Sequence, residues 1–305
     1  MANDVMVSYS NHDLATTFLS EDYIRQRCPL AFAENPTNEK VSDKYVVAKT
    51  IDVIRDMERL GWKVVDARQR KGHKDASGRF SYHMIVFQNP EVCITKTVGD
   101  EIAGVECYPR IILTNSHDGL NCFKFMVGLY RVVCSNGLVI SSDEFADLKI
   151  RHIHYTFEEL KALCNKVVEE LPEQVELMTK MKATELSDEQ MLSMALKMYK
   201  VRKGVDLESE EEVVVDVDEE TLRDMLDPQR EEDKSFDLWT VFNVLQEKVV
   251  KGGYTYFEEG MKKPRKMRKI TSFVKDLDIN MKMFEIAKSF LVVREDVDEQ
   301  EQVEE

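Results

Sequence analysis

Residues able to do chemistry gather in four places. The densest is Lys262, Lys263, Arg265, Lys266, Arg268 and Lys269, preceded by Tyr254, Tyr256 and Phe257 and followed by Phe273. Bases neutralise backbone phosphates and aromatic rings stack on nucleobases, so this pattern suits a single-stranded nucleic acid. The competing reading is a solvated loop neutralised by the chain's own acids. The second place is Asn115-Ser116-His117-Asp118-Gly119. Ser116, His117 and Asp118 supply by type a nucleophile, a base and an orienting acid at a turn, where side chains are expected to be exposed. The same residue types are common turn formers, which is the plainer explanation. The third is the strand-to-turn segment Arg131 to Gly137. An arginine in an apolar strand needs a carboxylate, a phosphate or a route to solvent, so Arg131 joins the candidate phosphate contacts, while Cys134 reads as core filling. The fourth is His152 and His154, on one face of a strand at the spacing of metal ligands. With His117 and an acid they would form a divalent-metal site.

Familiar catalytic loops are missing. The sequence has no Gly-rich phosphate loop, no His-Glu-x-x-His and no Cys-x-x-Cys pair, which argues against a P-loop nucleotidase and classical zinc chemistry. Cys28, Cys93, Cys107, Cys122, Cys134 and Cys164 are widely separated and read as reduced thiols of a cytoplasmic protein. Met178, Met181, Met191, Met194 and Met198 recur at helical spacing, as core or a partner groove.

The elements that must position these residues follow from the apolar period. Val46, Val47, Ile51, Val53, Ile54, Met57 and Leu60 form a helical stripe that Gly61 closes. From Trp62 the period changes to that of strands, at 62–70, 79–88, 92–98, 106–115, 121–134 and 138–142, with 150–155 as a short addition. Turn signals such as Asn89-Pro90 and Asn136-Gly137 separate them, predicting an antiparallel meander. Thr156 with Glu159 opens a helix to about Leu171, and Ser187 with Gln190 opens another to Arg202, with Gly204 beyond it. Ser235 is expected to cap a helix over 236–250, and Asp278 to cap a last one through Val293. The fold class is therefore α+β: a mostly antiparallel sheet with flanking helices, followed by a helical C-terminal region. The expected divisions are an arm at 1–42, a core domain at 43–172, helices at 173–293 and an acidic disordered tail at 294–305. Hairpin-joined strands are also expected to bring Asn115 to Asp118 near Arg131 and His152.

Charge is unevenly spread. The 305 residues carry 57 acids against 42 bases, a formal net charge of −15. Acidity concentrates in 201–250, with 16 acids and 6 bases, whereas 251–275 holds eight bases and two acids. A second, looser basic group comprises Lys63, Arg68, Arg70, Lys71, Lys74 and Arg79. The stretch 208–220 reads as a linker. No apolar run approaches the roughly 18 residues a membrane helix needs, and the N-terminus lacks a secretory pattern.

Taken together, the Asn115–Gly119 turn, the Arg131–Gly137 strand-turn and the strand bearing His152 resemble the domain of unknown function 932 family. The C-terminal strings Trp239-Thr240-Val241-Phe242-Asn243, Gln246-Glu247, Gly252-Gly253 and Asn280 resemble it as well, so the similarity spans about 43–292. Leu120 departs from the small polar residue expected after the glycine. The resemblance implies a phage or plasmid origin and an intracellular site, and assigns no catalytic residues. The expected function is nucleic-acid binding in recombination, replication or protection of mobile-element DNA, without a cofactor and with possible homo-oligomers. One alternative is a metal-assisted hydrolase or nuclease using His117, Asp118, His152 and His154. Another is an inhibitor of a host defence protein through the acids of 210–220.

Overall fold

The computed structural model describes residues 5–8, 17–34, 49–70, 82–98, 101–116, 123–131, 137–140, 149–150, 156–207, 217–258 and 260–301. The chain divides into two compact units, Met1–Val175 and Glu176–Glu305.

The first unit is an antiparallel sheet with helices on one face. Its strands are β1 (Val5–Ser8), β2 (Lys63–Gln69), β3 (His83–Gln88), β4 (Cys93–Val98), β5 (Glu101–Asn115), β6 (Phe123–Arg131), β7 (Gly137–Ile140) and β8 (Lys149–Ile150). It is not a simple meander. Arg110 of β5 pairs with Gln88 of β3 and with Gly128 of β6, while Cys107 pairs with Ile94 of β4 and with Arg131. Strands β4 and β3 therefore follow one another along one edge of the fifteen-residue β5, and β6 takes the other edge. Long-range register of this kind leaves no mark on local turn chemistry.

Three helices build the covered face: α1 (Glu21–Arg27), α2 (Thr50–Arg59) and α3 (Phe157–Glu169). Ile51, Ile54 and Met57 of α2 and Leu160, Leu163, Cys164 and Val167 of α3 pack with Ile85, Phe87, Ile111, Leu113, Phe125 and Val127, which alternate along their strands. The capping box at Thr156 and Glu159 forms as expected, with a 2.7 Å bond from the Thr156 N–H to the Glu159 carboxylate. Within the stretch expected as an arm, the described residues 17–34 pack into the core. Ser20 caps α1, and Ile24, Cys28 and Ala31 are fully buried in the core. Burying a side chain such as Ile24 is worth about 1.5–3 kcal/mol, which offsets the weak helical pattern of a polar stretch. Among the described residues Cys28, Cys93, Cys107 and Cys164 are buried thiols in no disulfide, and burial pushes Cys28 and Cys164 up to about 12.

The division between the units falls after Val175, within helix α4 (Leu171–Ala183). The second unit contains α5 (Asp188–Lys203), α6 (Glu219–Leu226), α7 (Leu238–Lys251), the short strands β9 (Thr255–Tyr256) and β10 (Arg265–Lys266), and α8 (Phe273–Glu301). Helix α7 is the centre, with Leu238, Phe242, Leu245 and Val249 fully buried. The box at Ser187 and Gln190 and the αL residue Gly204 bound α5 as the sequence predicts. Two other starts differ. Asp237, not Ser235, caps α7, because its carboxylate accepts from both the Thr240 N–H and hydroxyl at 2.9 and 2.8 Å. Asp278 lies inside α8; the Ser272 hydroxyl accepts from the Lys275 N–H at 3.4 Å, six residues before the cap expected at Asp278. That helix also runs to Glu301, into the stretch expected as a disordered tail. Residues 208–216 of the expected linker lie outside the described residues, but from Val217 the chain pairs with Glu258 and enters α6. No helix among the described residues is long and apolar enough to cross a membrane.

Candidate functional site

Lys262 to Lys269 belongs to a two-stranded ribbon that follows α7. That helix ends at Gly252, whose φ of +67° turns the chain sharply while its N–H still reaches the Lys248 carbonyl at 2.8 Å. The returning strand packs closely there: a Cβ on Gly252 would stand 2.6 Å from the Met267 carbonyl oxygen. The N–H of Gly253 donates to that carbonyl at 2.9 Å, and the N–H of Met267 to the Tyr254 carbonyl at 2.8 Å. Arg265 then lies opposite Tyr256 and Lys266 opposite Thr255. The outer edge of β9 is held as well, since the Thr255 N–H donates to the Asp224 carboxylate at 3.1 Å and the Phe257 N–H to the Thr221 hydroxyl at 3.1 Å. Buried Ile270 and Phe273 fix the way out.

All six bases are exposed. Among the described residues none of the six side chains pairs with a carboxylate; the nearby acid, Glu258, is taken by others. Its carboxylate accepts from the Tyr199 hydroxyl at 2.7 Å and from Lys203 Nζ at 2.9 Å. Burial, reinforced by Glu258, raises the Tyr199 phenol well above its ordinary range. Lys203 Nζ also stands 4.7 Å from the centroid of the Tyr256 ring. Beside these lies an open groove of about 640 Å³ lined by Arg202, Tyr256, Arg265, Lys266, Met267 and Arg268. Arg202 Nη2 donates to the Arg268 carbonyl at 2.6 Å, joining α5 to the ribbon. Tyr254 and Phe273, expected as stacking rings, are 2% and 5% exposed and belong to the core; Tyr256 and Phe257 keep partial exposure. Sequence reasoning missed Arg202, Lys203 and Glu258. Their signal was faint: two bases in the last turn of α5 and one acid inside a basic segment.

The first unit gathers a different set of polar groups. His117, Asp118, His152 and His154 lie outside the described residues. Asn115 and Ser116 are fully buried rather than exposed at a turn, because β5 continues through Asn115 and pairs it with His83. Thr50 at the start of α2 links Asn115 to His83: its hydroxyl accepts from Asn115 Nδ2 at 2.9 Å and lies 2.8 Å from His83 Nε2. Thr50 and His83 carried no sequence signal, since the connection joins residues 33 and 65 positions apart. Arg131 does not meet this group. It lies opposite Cys107, eight positions from Asn115 along β5 and hence about 27 Å away. Arg131 is partly exposed and is engaged by an interaction within the protein. Arg110, also missed, donates from Nε to Gln88 Oε1 at 2.8 Å and covers the Tyr130 ring at 4.2 Å; burial lowers its pKa. Among the described residues no group of three or more His, Cys, Asp or Glu side chains is placed to hold a metal ion.

An antiparallel sheet covered by helices, followed by a helical unit that carries a basic ribbon, defines the class: an α+β protein. The chain belongs to the family described as Domain of unknown function (DUF932), which matches residues 38–281. It is similar to the UPF0380 protein YafZ of Escherichia coli (strain K12), 26% identical over 242 residues covering 77% of this chain and 78% of the relative. It is also similar to the UPF0380 protein YfjQ of the same organism, 25% identical over 235 residues covering 77% and 78%. No solved structure matches it significantly.

Proposed function

We propose that this protein binds nucleic acid through the β9–β10 ribbon, acting in the cytoplasm in recombination, replication or protection of mobile-element DNA. One observation carries the reading: six exposed bases crowd a short ribbon, and none of them is neutralised by a carboxylate among the described residues. Like charges held this closely repel one another, and an external polyanion relieves that repulsion. A phosphate backbone supplies evenly spaced charges to a row of lysines and arginines without requiring a particular base sequence. The chain's overall acidity suits such a device, because binding is then confined to the ribbon while the remaining surface repels phosphate.

Fluorescence anisotropy with labelled oligonucleotides tests the reading at low salt. The wild-type chain should bind, and Lys262→Gln, Lys263→Gln, Arg265→Gln and Lys266→Gln together should weaken binding to every sequence alike. His117→Ala with His152→Ala should leave binding intact. Loss of binding in the histidine variant, together with loss of a hydrolytic activity, would favour the metal-assisted reading instead.

A further inference from the structure

We infer that the groove beside the ribbon is a subsite for an unpaired nucleotide, with Tyr256 as the surface on which its base stacks, so that the protein prefers single strands to duplexes. The inference rests on the nucleic-acid reading above and adds the kind of strand. The groove holds one aromatic ring among its six lining residues, and four of the others are Arg202, Arg265, Lys266 and Arg268. An aromatic ring amid cations is the composition that receives a base together with the phosphates on either side of it.

The ring is held before any ligand arrives. Tyr256 is anchored by the backbone pairing with Arg265. Its ring centroid lies 6.2 Å from that of Tyr199 at an interplanar angle of 56°. Tyr199 is fully buried and donates to Glu258, which also holds Lys203 close to the Tyr256 ring. A ring fixed in this way loses little rotamer freedom on binding, so more of the stacking free energy is retained as affinity. Arg202 is likewise set by its bond to the Arg268 carbonyl, which leaves the exposed heads of Arg265, Lys266 and Arg268 to follow the backbone.

Selectivity follows from the geometry of stacking. In a duplex both faces of each base are covered by neighbouring pairs, so the phosphates remain reachable by the six cations while no base can lie on Tyr256 without being unstacked. In a single strand the faces are free. Every base has a π-face, so the preference is for strand state and not for sequence.

The test uses the full chain and two probes, a twenty-nucleotide oligo-dT and a twenty-base-pair duplex, in fluorescence anisotropy at one salt concentration. The wild type should favour the single strand, and Tyr256→Ala should lower the single-strand to duplex affinity ratio by roughly 5- to 150-fold. Tyr256→Phe, which keeps the ring, should keep the ratio. A second measurement needs no substitution. Oligo-dT carrying 5-iodouracil, irradiated on the wild-type protein, should give an adduct that mass spectrometry places on Tyr256. The inference is overturned if Tyr256→Ala leaves the ratio unchanged and adducts form only at other residues, a result that leaves the ribbon's phosphate contacts standing. Absence of binding to either probe at low salt would overturn the inference and the nucleic-acid reading together.

Discussion

Thr50 Oγ1 serves two buried partners at once, the Asn115 amide and His83 Nε2. Thr50→Val keeps the side-chain shape and removes both bonds, so it should cost about 1–3 kcal/mol for each polar group left unpaired. Urea denaturation would measure this, and Thr50→Ser should restore most of it; a cost below about 0.5 kcal/mol, the level of an ordinary surface change, would contradict the network's role. Glu247 gives a pH test. Burial alone would raise its pKa, but Arg230 donates to the carboxylate at 2.6 and 2.9 Å and Lys251 at 2.7 Å, holding it at about 2. A pKa depressed by folding contributes stability that is present above the ordinary value of 4.5 and is lost as pH falls through about 2. Glu247→Gln should therefore be less stable than wild type at pH 7, and the gap should close as pH drops through that window. A gap independent of pH down to about 2 would contradict the assignment. At this scale the basic cluster was legible in the sequence, because charge density is local. Which rings remained accessible was not: Tyr254 and Tyr256 are two residues apart on one ribbon, and only the packing around α7 decides that the first is core and the second lines a groove.

At the scale of elements, the end of α7 controls the ribbon. Gly252 combines a φ of +67° and ψ of −143° with backbone atoms of Met267 and Arg268 at 2.6–2.9 Å from where a Cβ would stand. Backbone cannot swing aside as a flexible side chain can. Gly252→Ala should destabilise the chain by at least about 3 kcal/mol, and any folded fraction should bind nucleic acid more weakly as the ribbon shifts. Gly204 is the control. It is also left-handed, at φ +87°, but nothing lies within 4 Å of its would-be Cβ, so Gly204→Ala should cost only about 1–2 kcal/mol. Equal losses in a denaturation series would show that the close approach of the 267–268 segment is unimportant. The sequence revealed the elements whose signals are short-range: the boxes at Thr156 and Ser187 each need one residue three positions on. It concealed those settled at a distance. The start of α8 was misread because Asp278 is a good cap by type, while the chain uses Ser272. The pairing of β5 with β3 joins residues 22 to 32 positions apart, which no turn motif encodes.

For the molecule as a whole, the sign of the net charge is a poor guide to its partner. A formal charge of −15 would ordinarily exclude nucleic acid, yet the acids of 201–250 and the bases of 262–269 are separate features of one unit. Some described acids of this unit form internal pairs, as in Asp224 with Lys248, Glu247 with Arg230 and Glu258 with Lys203, while the ribbon's bases stay exposed. That allocation was not legible in composition, which could offer self-neutralisation and polyanion binding only as equal alternatives. The dependence of affinity on salt separates them most directly. If five of the six bases touch the phosphates of a single strand, log affinity should fall against log salt with a slope of about −3.5, and neutralising Lys262, Lys263, Arg265 and Lys266 together should flatten that slope by roughly 3. An affinity and a slope that the quadruple change leaves unaltered would contradict the account.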